Sequence, residues 1–325
     1  MSRAIRIHKT GGPEVLRFEE VAVGDPGPGQ ARVRQSAVGV NFVDIYHRTG
    51  LYPLELPSGI GAEAAGHVEA VGPGVNHVAP GDRVAYLSST AVGSYAEVRL
   101  VPANLLVKLP PGITDEIAAA AFLKGLTVRS LVRRTYPVKA GQVVLWHAAA
   151  GGVGLIAVQW LKALGASVIA TVGSDEKADL VRSLGCDHVL VYTREDFVAR
   201  VKEITGGVGV PVVYDSVGKA TFEGSLDCLR PLGMMVTFGN ASGPVPAFAP
   251  TVLTQRGSLF LTRPSVGHYV ASRADLEAAA ADLFGQLEAG RIRVRVGGRW
   301  PLGQAAEAQR ALADRRTSGS LVLLP

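Results

Sequence analysis

HAAAGGVGLIAVQWLKALGASVIATVGS, from His147 to Ser174, crowds Gly151, Gly152 and Gly154 between an apolar run and a stretch with helical periodicity. VVLW (143–146) ahead of it reads as a buried strand, and Gly152–Leu164 as a helix. A glycine-rich turn in that setting leaves backbone N–H groups bare beside a helix N-terminus, which suits a pyrophosphate. Ala149, Gly151 and Gly154 fall on the G-x-G-x-x-G spacing, with alanine in place of the first glycine. The same turn could serve only close helix–strand packing, so the rest of the chain has to decide.

From there strands and helices alternate. SVIATV (167–172) precedes a helix over Asp175–Leu184, and HVLVY (188–192) one over Glu195–Ile204. VPVVYDSV (210–217) precedes a helix over Thr221–Leu229, and MMVTFG (234–239) and SLFLTR (258–263) complete six strands. This alternation predicts a parallel sheet covered on both faces, as in a dinucleotide-binding fold.

The first third reads differently. ARVRQSAVGV (31–40), GHVEAVGPGV (66–75) and PGDRVAYL (80–87) are short strands punctuated by Gly and Pro, as in a compact β domain. Thr114 can cap a helix carrying Asp115 and Glu116 in its first turn and running to about Val132. In the tail, Ala274–Leu287 reads as a helix ended by Gly290. RIRVRV (291–296) reads as a strand, with Arg291, Arg293 and Arg295 on one face and Ile292, Val294 and Val296 inward.

Composition narrows the function classes. A length of 325 residues, 47% of them hydrophobic, suits two domains with sizeable cores. The net charge of +5 is spread without a block of like charges, which argues against a nucleic-acid or membrane-surface partner. Cys186 and Cys228 stand alone, without C-x-x-C spacing, and suit a reducing compartment. Arg3, Arg6, Lys9, Glu14 and Arg17 interrupt the first thirty residues, leaving no signal-peptide core. The apolar region Leu155–Val172 is broken by Lys162 and Gly165 and is too short to span a bilayer. The expectation is a soluble, cytoplasmic protein. His67, His77, His147, His188 and His268 show no paired ligand spacing, so no metal is expected.

The end of the second strand of the series bears on the choice of cofactor. An NAD-selective site usually places a carboxylate there, but SVIATV runs out into Gly173 and Ser174. Lys177 lies about one helical turn on, and Tyr192 ends the next strand, a set that could hold the 2′-phosphate of NADPH. Asp175 and Glu176 put negative charge beside that phosphate, although acids in a first turn also complement the helix dipole.

GQVVLWHAAAGGVGLIAVQWLK (141–162) resembles the quinone oxidoreductase/ζ-crystallin branch of the medium-chain dehydrogenases/reductases. So do HKTGGPEVL (8–16), VGVNFVDIYHRTGLYP (38–53), LPSGIGAEAAG (56–66), FLKGLTV (122–128), VVYDSVG (212–218), FGNASG (238–243) and TRPS (262–265). The resemblance implies an α/β fold in two domains. A GroES-like, β-rich catalytic domain would span 1–125, completed by 266–325, and a Rossmann domain binding NADPH would span 126–265. It also implies a homodimer that passes reducing equivalents from NADPH to a quinone without metal. In zinc-dependent relatives a cysteine sits about where Asn41 stands, and a histidine about where Ala62 precedes Glu63.

Carried over by position, Asn41, Phe42 and Tyr46 would lie beside the nicotinamide, and Thr127 and Ser130 would approach the cofactor. Gly151, Gly152 and Val153 would form the pyrophosphate turn, and Gly173, Ser174, Lys177 and Tyr192 the adenosine-phosphate end. Ser216, Phe238, Gly239, Asn240, Arg263, Pro264, Ser265 and Arg315 would complete the pocket. Tyr46 is the candidate proton donor or orienting group, with Asn41 beside it and Tyr52 behind it. Plainer roles stay open: Asn41 can cap a helix starting at Phe42, Tyr46 can be a core aromatic, and Ser216 and Asn240 can satisfy loop backbone. Two other functions also stay open. One is NADPH-dependent reduction of activated C=C bonds in alkenals or enones. The other is a cofactor-binding protein used for RNA binding or as bulk crystallin-like structure.

Overall fold

The computed structural model describes residues 2–88 and 92–325. The chain divides into two compact units, one of 1–126, 270–289 and 294–325, the other of 127–269 and 290–293.

The first unit is mostly β. Strands β1 (Ser2–Ile7), β2 (Arg17–Val21), β3 (Gln30–Val40), β4 (Ser58–Gly59) and β5 (Glu63–Val71) are followed by β6 (Arg83–Leu87), β7 (Val98–Pro102) and β8 (Val107–Lys108). Helix α1 (Phe42–Thr49) lies between β3 and β4, and α2 (Asp115–Ser130) follows β8. A small sheet has the order β2-β1-β4. The larger sheet pairs β3 with β5 and β7, and β5 with β6, all antiparallel. Its core gathers Ile5, Ile7, Val33, Val38, Ile60, Tyr86, Tyr95 and Leu106. Gly39 is required on β3, because a methyl there would collide with the Glu63 carboxylate and the Ala119 carbonyl.

Past Ser130 the helical path widens into a π turn over Leu131–Thr135 and ends at Tyr136. The second unit then follows the expected rhythm: β9 (Val143–Trp146), α3 (Gly152–Ala163), β10 (Ser167–Val172), α4 (Asp175–Arg182), β11 (His188–Val191) and α5 (Phe197–Ile204). It continues with β12 (Val210–Asp215), α6 (Phe222–Asp227), β13 (Leu229–Thr237), α7 (Thr251–Gln255), β14 (Phe260–Thr262) and α8 (Val266–Tyr269). The six strands are all parallel, in the order β11-β10-β9-β12-β13-β14. The chain winds outward from β9 to β11, then returns past β9 to β12. The sheet's switch point therefore lies between β9 and β12. Leu145, Ile169, Leu190, Val213, Phe222, Leu226 and Met235 fill one side of this sheet.

The tail adds α9 (Arg273–Glu288), β15 (Val296–Pro301), α10 (Ala305–Ala313) and β16 (Ser320–Leu324) to the first unit. Strand β16 pairs β3, and β15 pairs β16. Here one expectation fails: RIRVRV is not a strand, since pairing begins only at Val296. Gln159 explains part of this. Its side chain accepts from the Arg293 N–H at 2.9 Å and donates to the Arg293 carbonyl at 3.1 Å, taking the groups a ladder would use. Ile292 is still buried and Arg291, Arg293 and Arg295 exposed, so the alternation reported burial without a sheet. The expected helices of the second unit are also trimmed at their ends, whereas α9 runs one residue further at each end than expected. The acid Asp196, for example, caps α5 by accepting from Val198 and Ala199 N–H, so the helix starts after it.

Candidate functional site

In the second unit the candidate residues gather at the carboxyl ends of the strands. Gly151–Val153 follow β9; Gly173, Ser174 and Lys177 follow β10; Tyr192 follows β11; Ser216 follows β12. Phe238, Gly239 and Asn240 follow β13, and Arg263, Pro264 and Ser265 follow β14. Such an edge is where an open α/β sheet receives ligands.

The glycine turn is built on a residue that the sequence did not single out. Ala148 takes φ of 54°, a left-handed conformation that costs a non-glycine residue energy. It lets Gly151 N–H donate to the Ala148 carbonyl at 3.0 Å, and Gly151 then serves as N-cap of α3. Behind the turn lies a buried polar cluster, also unforeseen. Asp215 accepts from Val217 N–H (2.7 Å), Gly218 N–H (2.9 Å), Thr221 Oγ1 (2.6 Å) and Ser225 Oγ (2.9 Å). Ser225 spends its one hydrogen on Asp215, so it must accept from His147 Nε2 at 3.0 Å. Burial holds the His147 imidazole below its usual pKa, against the pull of Asp215, which favours the neutral ring. His147 Nδ1 is then the acceptor, and Thr171 Oγ1 donates to it at 2.8 Å. This tautomer ties the ends of β9, β10 and β12 together and holds the loop bearing Ser216. The serine, histidine and aspartate lie in one chain of bonds, but the serine donates to the acid, so this is scaffolding rather than a nucleophile.

Two further contacts hold the same edge. Arg263 donates to Thr237 Oγ1 (3.0 Å) and the Gly239 carbonyl (3.1 Å), and Phe238 packs on Trp146 with ring centroids 5.6 Å apart. Gly239 must lack a side chain, since a methyl would collide with the Ser216 carbonyl. At the end of β10, Ser174 Oγ caps α4 by accepting from Lys177 N–H at 3.3 Å. A methyl on Gly173 would sit 2.9 Å from the Tyr192 hydroxyl, so Gly173, Ser174, Lys177 and Tyr192 form one local group. Thr127 and Ser130 sit on the last turns of α2, and among the described residues the buried Ser130 Oγ has no hydrogen-bond partner.

In the first unit, Asn41 is the N-cap residue of α1, and the Asp44 side chain accepts from its N–H at 2.8 Å, one bond of a capping box. Asn41 also does more: its Nδ2 donates to Glu63 Oε1 at 2.8 Å. Lys124 Nζ donates to the same oxygen at 2.8 Å, and Leu123 N–H donates to Glu63 Oε2 at 2.6 Å. The Glu63 carboxylate thus accepts three hydrogen bonds, two on Oε1 and one on Oε2. Among the described residues, no group of three or more His, Cys, Asp or Glu side chains is placed to hold a metal ion. Burial pushes the Asp44 carboxyl up to about 7, against hydrogen bonds from Asn41 N–H and the Tyr95 hydroxyl. Tyr46 is 8% exposed and packs edge-on against Tyr52 at 5.2 Å, with Phe42 at 6.2 Å. Arg315 lies just past α10 with φ of 57°.

Residues 27–111 match the family described as "Alcohol dehydrogenase GroES-like domain", and 152–285 the one described as "Zinc-binding dehydrogenase". A quinone oxidoreductase of Pseudomonas aeruginosa is 50% identical over 100% of both chains. The chain belongs to the quinone oxidoreductase family of the medium-chain dehydrogenases/reductases. Its fold is the α/β fold of that superfamily, a GroES-like domain plus a parallel six-stranded Rossmann sheet. Within the family, a 2-haloacrylate reductase of Burkholderia sp. is 48% identical, covering 100% of this chain and 99% of its own. The solved Escherichia coli quinone oxidoreductase complexed with NADPH superimposes with a TM-score of 0.98 at 49% identity, covering 99% of this chain and 100% of that one. Among the described residues, no helix is long and apolar enough to cross a membrane.

Sequence reasoning passed over Lys124, Asp44 and Asp215, and weighed His147 only as a metal ligand. A signal existed for two of them: Lys124 interrupts the mostly apolar AAAAFLKGLTV (118–128), and Asp215 ends the apolar VPVVYD (210–215). A lone charge in a buried run implies a buried partner, but sequence does not say which.

Proposed function

We propose that this chain reduces quinones with NADPH, without a metal. The observation that carries the reading is its end-to-end likeness to quinone oxidoreductases, one of them solved with NADPH. The local geometry fits that cofactor: a bare glycine turn at the N-terminus of α3, the group Gly173, Ser174, Lys177 and Tyr192 at the end of β10, and an orphaned buried Ser130 hydroxyl. The bound cofactor supplies the hydride; the protein supplies binding, orientation and dryness. Gly151, Gly152 and Val153 receive the pyrophosphate. Ser174, Lys177 and Tyr192 hold the 2′-phosphate, and Ser216, Phe238–Asn240, Arg263–Ser265 and Arg315 line the remainder.

The first domain, 1–125 with 266–325, acts on the substrate, and 126–265 holds the cofactor. Glu63 fixes the Asn41 amide on its Nδ2 side, and Tyr46, with Tyr52 against it, orients the quinone oxygen or gives it a proton. Turnover of 1,4-benzoquinone and 9,10-phenanthrenequinone with NADPH, and its persistence after exhaustive chelation, is the expected result. No quinone turnover, or one zinc per chain by elemental analysis, defeats the reading.

A second reading, reduction of activated C=C bonds, is favoured by the 48% identity to a 2-haloacrylate reductase. Assaying a 2-alkenal and a 2-haloacrylate beside the quinones separates the two. We further propose a cytoplasmic homodimer. Strand β14 is the edge of the parallel sheet, and it leaves Phe260 55% and Leu261 36% exposed. Light scattering at a monomer's mass rejects the dimer.

A further inference from the structure

Asp175 raises a difficulty for an NADPH site. It is the first residue of α4, directly after Ser174 and two residues before Lys177, where a free carboxylate would repel a 2′-phosphate and accept from a ribose hydroxyl instead. Arg194, two residues beyond Tyr192, reaches back to it. Arg194 Nη1 lies 2.6 Å from Asp175 Oδ2, and Nη2 lies 2.6 Å from Oδ1. Both carboxylate oxygens are therefore held in one planar fork, which fixes direction as well as distance.

We infer that Arg194 is a cofactor-specificity residue of this chain, acting through Asp175. By forking both oxygens it turns the carboxylate away from the ribose and cancels its charge, so the end of β10 favours the phosphorylated dinucleotide. The charge balance shows the effect. Asp175, Glu176, Lys177 and Arg194 sum to zero, and without Arg194 the same stretch carries a net charge of −1. The pair is exposed, with side chains 56% and 62% accessible, so it contributes little to folding. Its consequence is instead a local potential at a site meant for a dianion. This inference rests on the NADPH reading above and adds to it the residue that neutralises the opposing acid.

The test is titration of the full chain with NADPH and NADH, followed by cofactor fluorescence. In Arg194→Ala the NADPH dissociation constant is expected to rise roughly five- to tenfold at low salt, and less at high salt, as screening removes the field. NADH affinity is expected to hold or improve, because the freed Asp175 can accept from the ribose hydroxyl. The preference for NADPH therefore falls by about fivefold or more. Arg194→Ala/Asp175→Asn is expected to restore the wild-type preference, and Glu176→Gln, which removes a negative charge from the same stretch, not to lower it. Equal weakening of both cofactors, or an unchanged preference, overturns the inference. So does a double variant that still binds NADPH poorly, which would mean that Arg194 touches the phosphate itself. A wild-type chain that prefers NADH, or binds neither cofactor, overturns the NADPH reading and this inference with it. An NADPH-preferring wild type whose preference survives Arg194→Ala overturns this inference alone.

Discussion

Lys124 Nζ lies 2.8 Å from Glu63 Oε1, and the two side chains are only 5% and 0% exposed. A pair this dry holds together because each charge answers the other; removing one strands its partner. Asn41 Nδ2 and Leu123 N–H also donate to Glu63, but neither brings a charge. Lys124→Met should therefore cost about 3–5 kcal/mol of stability. Lys124→Met/Glu63→Gln should recover much of that loss, since no bare charge remains. Urea midpoints of the three proteins check this, and a single variant as stable as wild type refutes it.

Asp44 predicts a pH dependence. Its carboxyl is raised from 3.8 to about 7 by burial, so between those values the folded chain holds a proton that the unfolded chain releases. The associated stability is fully present below pH 4 and is lost as pH rises through 7. Asn at this position can still accept from Asn41 N–H and the Tyr95 hydroxyl, which now meet at Asp44 Oδ2. It also carries N–H groups in place of the ionisable oxygen. Relative to Asp44→Asn, wild type should lose up to about 4 kcal/mol between pH 4 and pH 8. Parallel stability profiles for the two proteins would count against this assignment.

The glycine turn separates into two roles. A methyl on Gly154 would lie 2.5 Å from the Ala149 carbonyl oxygen and 2.6 Å from that of Ala148, so Gly154→Ala should open the turn and cost about 1–3 kcal/mol. Gly152 opens α3 at the ligand edge, and Gly152→Val should spare the fold while abolishing NADPH binding. Thermal melts and cofactor titration of both variants distinguish a structural glycine from a binding one; normal NADPH binding by Gly152→Val contradicts the pyrophosphate assignment.

Lys177→Ala should weaken NADPH by about ten- to over a hundredfold, the worth of a charge-assisted hydrogen bond of roughly 1.5–3 kcal/mol. NADH, which lacks the phosphate, should bind as before. The pair of dissociation constants checks this, and equal losses for both cofactors would remove Lys177 from the phosphate site.

The parallel sheet was legible because strands buried on both faces and amphipathic helices each leave a local periodic trace. The glycine turn was legible because its spacing and its strand-to-helix setting both lie within a few residues of chain. Asn41 was half legible. Its capping of α1 follows from local sequence, whereas its bond to Glu63 spans 22 residues and needs β5 to pair with β3. RIRVRV misled for the converse reason: period-two burial is real there, but Gln159, 134 residues away, takes the backbone groups a strand would pair.

By itself, then, the sequence determined what is local: periodicity, the turn, the caps, and the missing carboxylate at the end of β10. Tertiary structure alone decided the pairings of buried charge and polarity, Lys124 with Glu63, His147 with Ser225 and Asp215, and Arg194 with Asp175. The physical reason is range. Hydrogen-bond capacity is written in each residue, but a partner acts only within about 3 Å, and which groups come that close is set by how distant strands and helices pack.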